Sequence, residues 1–213
     1  MNWFRRLLGM KQHVSAQQEE NTAMTIRIPQ LGFSDAIIVV DVQNDFCPGG
    51  ALPVEEGDKI VPVLNHWLDA VRHDVPVVVA SCDWHPPNHV SFQERGGPWP
   101  RHCVQGTPGA AFHPDLHLPK DAWIIRKGTD PDEDQYSALD RTGVIERLQS
   151  QAVRRLWVGG LALDVCVRAT VFDALGAGFE VHLIADATRA VNVRPDGGKQ
   201  AIEQMQEAGA IIK

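Results

Sequence analysis

Residues 154–160 read RRLWVGG, and residues 161–170 continue as LALDVCVRAT. The first part is an apolar strand that stops on two glycines. The second part turns at once into a helical pattern that closes on the glycines of DALGAG, 173–178. A strand feeding a helix through a short glycine turn is the repeating joint of a parallel α/β domain. At this joint a cysteine, Cys166, stands where the helix should begin.

The same joint recurs along the chain. AIIVVDV (36–42) is a continuous apolar run, as expected of a strand buried on both faces. DKIVPVLNHWLDAVRHD (58–74) follows, with Ile60, Leu64, Trp67, Leu68 and Val71 at helical spacing and Pro62 near the start, where proline is tolerated. PVVVASCD (76–83) and AWIIRK (122–127) read as the second and third strands. ALDRTGVIERLQSQ (138–151) contains a helix, and RRLWVGG is the fourth strand. FEVHLIAD (179–186) is the fifth, PDGGKQAIEQMQEAG (195–209) holds the last helix, and AIIK (210–213) is the sixth strand. The alternation predicts a three-layer α/β/α domain with a mainly parallel, Rossmann-like six-stranded sheet.

Bulk properties narrow the function. The 213 residues suffice for one such domain, and 44% hydrophobic with 22% charged residues is ordinary globular composition. The net charge of -7 argues against a nucleic-acid partner and gives no attraction to anionic membranes. The four cysteines, Cys47, Cys82, Cys103 and Cys166, form no C-x-x-C pair, and no secretory segment is evident. A reducing, cytoplasmic setting is expected. Residues 1–33 read as an N-terminal extension to a domain over 34–213. Trp3, Phe4, Leu7 and Leu8 share one helical face, followed by the polar stretch QHVSAQQEENTAM. The extension is either a loosely attached terminus, with translation starting at Met24, or a short docking helix.

In an open parallel sheet, chemistry gathers beyond the carboxyl ends of the strands. Strand one ends at Asp41, strand two at Asp83, strand three at Lys127 and strand four at the opening stretch. Each alone has a plain structural explanation, but the topology brings them to one edge. A thiol near pKa ~8.5 needs its proton removed to attack. A helix start and Lys127 would favour the thiolate of Cys166, and Asp41 could take the thiol proton and return it to a leaving group. Backbone N–H groups of the turn could bind an oxyanion. In extended chain Asp83 and His85 face the same way, and His102 stands across the long Pro-, Gly- and His-rich segment from Trp84 to about Lys120. Asp, His and His with open positions suit one divalent ion of zinc, iron or manganese. His89 is a fourth candidate ligand and Glu94 a weaker one. His66, His73, His113, His117 and His182 are read as structural.

Five segments, VVDVQNDFCPGGAL, DWHPPNHVSF, GGPWPRHCVQGTPGA, RKGTDPDEDQYSAL and GGLALDVCVRAT, closely resemble the nicotinamidases, a group of the isochorismatase-like cysteine hydrolases. The resemblance runs from about Asp35 to Lys213. It implies catalytic roles for Asp41, Lys127 and Cys166, and metal ligation by Asp83, His85 and His102, with His89 a ligand in only some members. It further implies an aromatic pocket of Phe46 and Trp99 with Tyr136 nearby, and an oxyanion hole from the N–H groups of Ala162 and Cys166 after a cis Leu161–Ala162 bond. The implied reaction is hydrolysis of nicotinamide to nicotinate and ammonia through a cysteine thioester, in NAD salvage, with pyrazinamide as a second substrate. A homo-oligomer is left open. Two departures bear on the pocket: Leu163 replaces a threonine beside the nucleophile, and Leu139 replaces a phenylalanine. The alternatives are a cysteine amidohydrolase for another small amide, a non-catalytic metal- or ligand-binding protein, and hydrolysis by metal-bound water alone.

Overall fold

The structure is a computed structural model that describes residues 28–71 and 77–213. The readings made for Trp3, Phe4, Leu7, Leu8, Met24 and His73 lie outside the described residues.

Six strands form one sheet: β1 (Asp35–Val40), β2 (Val77–Asp83), β3 (Trp123–Lys127), β4 (Arg155–Leu161), β5 (Glu180–Arg189) and β6 (Ile211–Ile212). Their order is β3-β2-β1-β4-β5-β6, and every pairing is parallel. The chain winds outward from β1 to β3, then returns to lay β4 on the other side of β1. The strand order therefore reverses between β1 and β4, the place where such sheets open a crevice.

The strand pattern explains the layers. Along β1, Ile37 and Val39 enter one buried cluster while Ala36, Ile38 and Val40 enter the other, as the two-residue period of a strand requires. The first cluster packs against α1 (Ile60–Val71), which contributes Ile60, Leu64, Trp67 and Leu68. There Trp67 meets Trp157 of β4 at a ring separation of 5.1 Å. The second cluster is covered by α2 (Val144–Ser150), α3 (Arg168–Gly176) and α4 (Gly197–Glu207) through Leu148, Val171, Ala174 and Met205. All six expected strands and four expected helices are present.

Two local readings change. The glycine pair at 159–160 lies inside β4 and is not the turn itself. A Cβ on Gly160, at φ +133°, would sit 2.0 Å from the carbonyl oxygen of Val40, so glycine lets β4 press against β1. The helix expected to begin around Cys166 is preceded by a wide turn over Leu163–Val167, with α3 beginning only at Arg168. The N–H groups of Val165 and Val167 both bond the Ala162 carbonyl at 3.1 Å. That shared acceptor widens the turn beyond an α-helical one, a form that recurs at functional sites.

Candidate active site

Four neighbouring strand ends deliver four side chains in spatial order: Lys127 from β3, Asp83 from β2, Asp41 after β1 and Cys166 after β4. All four are buried. Asp83 and Lys127 are register partners, so their side chains rise from the same end of the sheet. Asp41 still donates its N–H to Ser81 at 3.1 Å, then the chain turns away through a left-handed residue, φ +49°. That turn aims the Asp41 carboxylate across the strand ends.

Lys127 Nζ lies 2.6 Å from Asp83 Oδ1, 2.8 Å from Asp41 Oδ2 and 3.5 Å from Cys166 Sγ. Burial alone would push this amine toward neutrality, but Asp41 and Asp83 outweigh it and hold its pKa well above the ordinary value. Asp41 Oδ1 accepts from Ser81 Oγ at 2.7 Å. Its Oδ2 is ion-paired with Lys127. Burial raises the Asp41 pKa, Lys127 opposes the rise and Asp83 adds to it, leaving the carboxyl above its usual range.

The thiol departs from expectation. Burial pushes the Cys166 pKa well up; Lys127 pulls it down, but Asp41 and Asp83 push with the burial. Cys166 also precedes α3 and is not in its first turn. The resting side chain is thus a neutral thiol whose proton needs a nearby acceptor. The ligand atoms of Asp41, Asp83 and Cys166 lie within 4.8 Å of one another, and a carboxylate oxygen accepts more than one hydrogen, so Asp41 can take that proton. Thr170 steadies the turn, donating to the Cys166 carbonyl at 2.8 Å and accepting from Ala138 N–H at 3.0 Å.

The other oxygen of Asp83 faces a pair of imidazoles. Its Oδ2 lies 3.5 Å from His85 Nε2 and 3.8 Å from His102 Nε2. His85 Nδ1 is 2.9 Å from the Gly128 carbonyl and His102 Nδ1 is 2.8 Å from that of Pro100. A carbonyl only accepts, so each Nδ1 carries the hydrogen and each Nε2 presents a lone pair toward Asp83. This is how metal-ligating histidines are held. Three donors, all within 4.8 Å of one another, fit a divalent ion.

His89 does not join them. Its ring stacks on His85 at 4.1 Å. Its Nε2 bonds the Glu133 carbonyl at 3.0 Å, and its Nδ1 faces the hydroxyl and N–H of Ser91 at 2.7 and 3.2 Å. Both nitrogens are committed to protein partners. Glu94 is exposed and pairs with Arg101 at 3.5 Å, away from the cluster. His182 packs on Trp157 with ring centroids 4.2 Å apart.

An apolar cavity opens beside the thiol. Phe46, Leu52, Val54, Trp99, Tyr136 and Val165 wall it, and Cys166, Ala162, Asp83, His85 and His102 reach it. Trp99 Nε1 donates to Tyr136 Oη at 3.2 Å, joining two loops over the cavity. The Leu161–Ala162 peptide bond is cis. Leu163 and Leu139 do not line the cavity; both are buried in the cluster under α2, α3 and α4, so these replacements pack the core. Sequence reasoning missed Ser81, whose signal was a lone hydroxyl in an otherwise apolar strand. It also missed Leu52, Val54 and Val165, ordinary apolar residues that carry no signal.

Known proteins resemble this chain in sequence and in fold. A nicotinamidase of Escherichia coli is 40% identical over 198 residues, spanning 83% of this chain and 93% of that one. The structure of a pyrazinamidase of Pyrococcus horikoshii in complex with zinc superposes with a TM-score of 0.80 at 48% identity, covering 84% of this chain and 98% of that one. PnC1 from L. infantum in complex with nicotinate gives a TM-score of 0.79 at 38% identity, over 88% and 96% of the two chains. The isochorismatase domain model matches residues 35–213, the whole span from the first strand of the sheet to the last, and the chain belongs to the isochorismatase family.

Proposed function

We propose that this protein is a nicotinamidase, hydrolysing nicotinamide to nicotinate and ammonia through a thioester on Cys166. One observation carries the reading: a single buried ammonium, Lys127, touches two carboxylates and a thiol beside an apolar cavity and a histidine pair. The names of the Escherichia coli relative and of the nicotinate complex support a pyridine carboxamide as substrate. Pyrazinamide, which differs by one ring nitrogen, fits the same cavity requirement.

The ring sits against Phe46 and Trp99, with Tyr136 bracing Trp99. Cys166 Sγ attacks the carboxamide carbon as its proton passes to Asp41 Oδ2. The N–H groups of Ala162 and Cys166 hold the developing oxyanion. Asp41 returns the proton to nitrogen, the C–N bond breaks and ammonia leaves. Water then adds to the thioester with Asp41 again as base, the C–S bond breaks, and nicotinate and the thiol are released. Lys127 stays charged throughout and holds the carboxylates in place. Asp83, His85 and His102 would hold one divalent ion, which would supply a Lewis acid facing the substrate ring. Zinc is the ion of choice, by likeness to the zinc complex.

The catalytic domain spans 34–213, with 1–33 as an extension. All four cysteines are free and buried, and no helix among the described residues is long and apolar enough to cross a membrane. The free cysteines support a reducing, cytoplasmic setting, and nicotinamide as substrate would place the enzyme in NAD salvage. The test is ammonia release from nicotinamide by wild type beside Cys166→Ala. The variant should fold and lose about 10³-fold or more of kcat. Substantial turnover by folded Cys166→Ala overturns the mechanism.

A further inference from the structure

The geometry points to Gln43 and Asp45, neither of which touches the ligand atoms, as the positioning residues that hold the metal-binding trio in register. The inference rests on the reading of Asp83, His85 and His102 as metal ligands.

The sheet is interrupted where β1 ends. β1 and β2 pair through Val40 and Ser81, and the Asp41 N–H adds a last rung to Ser81. The backbone of β1 then leaves, which is what turns Asp41 into the site. On its β1 side, Asp83 would be left with a buried N–H and C=O and no strand to meet them. The Gln43 side chain takes that place. Its Oε1 accepts from Asp83 N–H at 2.8 Å, and its Nε2 donates to the Asp83 carbonyl at 2.8 Å. A primary amide thus imitates the missing strand rung around the one residue that faces both Lys127 and the histidines. The second Nε2 hydrogen goes to the Ala110 carbonyl at 2.9 Å, so the amide is committed on three sides. Gln43 is fully buried.

Asp45 performs the matching task for the histidines. Its Oδ2 accepts from Cys103 N–H at 2.7 Å, and its Oδ1 accepts from Ala51 N–H at 3.2 Å. Cys103 directly follows His102 and has a left-handed backbone, φ +46°. The Cys103 carbonyl in turn accepts from His85 N–H at 3.0 Å. One carboxylate therefore fixes a residue that is covalently joined to one histidine and hydrogen-bonded to the other. Room for it is provided at Gly109, where a Cβ would lie 2.2 Å from Asp45 Oδ2. Both residues come from the short segment after β1, so the turn that aims the general base also fixes the three ligands.

The test uses purified, metal-stripped wild type, Gln43→Ala, Asp45→Asn and Asp35→Asn. Zn²⁺ and Co²⁺ affinities are measured by competition with a chromophoric chelator, and the visible ligand-field bands of the Co²⁺ form are recorded. Wild type binding neither ion overturns the metal reading itself, separately from the positioning role. Given binding by wild type, Gln43→Ala and Asp45→Asn are expected to bind about 10–100-fold more weakly, with altered Co²⁺ bands. Asp35→Asn breaks a buried network at the opposite end of β1, and is expected to lose stability with unchanged affinity and spectrum. Wild-type affinity and bands in both positioning variants overturn the inference. An equal loss in Asp35→Asn also overturns it, because general loosening would then suffice. Should Gln43→Ala fail to fold, the near-isosteric Asp45→Asn decides the question.

Discussion

Lys127 Nζ and Asp83 Oδ1 are 2.6 Å apart, while the second oxygen of the same carboxylate faces His85 and His102. One carboxylate thus joins the ammonium of the thiol chemistry to the metal-binding histidines. Burial would raise the Asp83 pKa, but it is opposed first by Lys127, and the group is held below the usual carboxylate range. Asp83 is therefore ionised across the whole pH range in which the thiol can react.

Removing the lysine exposes that coupling. Lys127→Met keeps most of the side-chain length and strips the charge, leaving Asp41 and Asp83 buried together without a counter-ion. Breaking a buried pair in this way costs about 3–5 kcal/mol. Urea unfolding should show a loss of that size, together with loss of amidase activity in the folded fraction. A Lys127→Met protein as stable as wild type would show that the lysine does not neutralise the pair.

Metal removal should separate chemistry from folding. His85 and His102 are anchored by carbonyls of Gly128 and Pro100, and Asp83 by Lys127 and Gln43. The site is thus held by protein contacts alone. Chelator-treated protein should keep its circular dichroism and cooperative unfolding while losing nicotinamide hydrolysis, and added Zn²⁺, Mn²⁺ or Fe²⁺ should restore it. Full activity in protein shown by elemental analysis to be metal-free would dismiss the ion from catalysis.

The histidines should divide into ligands and a support. His102→Ala removes one of three donors and should drop bound metal well below one ion per chain. His89→Ala removes a ring stacked on His85 and a bond to Glu133, so it should keep its metal and lose part of its kcat/KM. Elemental analysis after dialysis distinguishes the two; metal loss from His89→Ala equal to that from His102→Ala would make His89 a ligand.

How much of this was legible follows from where each signal lives. β1 and β2 were readable because a parallel strand buried on both faces needs a continuous apolar run, and AIIVVDV or PVVVASCD has no other use. Asp41, Asp83, Lys127 and Cys166 were readable because strand ends in such a sheet share one edge. The wide turn at Leu163–Val167 was not: it depends on one carbonyl, that of Ala162, accepting two N–H groups, which no residue type announces. The net shift of the thiol was not legible either: Lys127 does favour the thiolate, but burial together with Asp41 and Asp83 outweighs it. Gln43 carried no signal because its partners are backbone atoms 40 and 67 residues away.

The far end of β1 gives a prediction independent of the chemistry. Asp35 is buried, with Oδ1 accepting from Trp157 Nε1 and from Arg155 Nε, and Oδ2 accepting from Gly32 N–H at 2.7 Å and Arg155 at 2.9 Å. Burial alone would raise its pKa, but the hydrogen bonds from Arg155, Trp157 and Gly32 outweigh it, and the group sits below the ordinary carboxylate value. A carboxyl with a lower pKa folded than unfolded binds its proton more readily in the unfolded chain. Its stabilisation is therefore complete at neutral pH and is lost as pH falls through the ordinary value near ~3.9 toward the folded one. Asp35→Asn should cost about 1–3 kcal/mol at pH 7, the scale of hydrogen bonds to a charged group. The gap from wild type should narrow steadily between about pH 5 and pH 3, as urea unfolding across that range would record. A gap of constant size down to pH 3 would mean that the asparagine loses only shape and packing, and that the ionised carboxylate contributes nothing to joining β1 to β4.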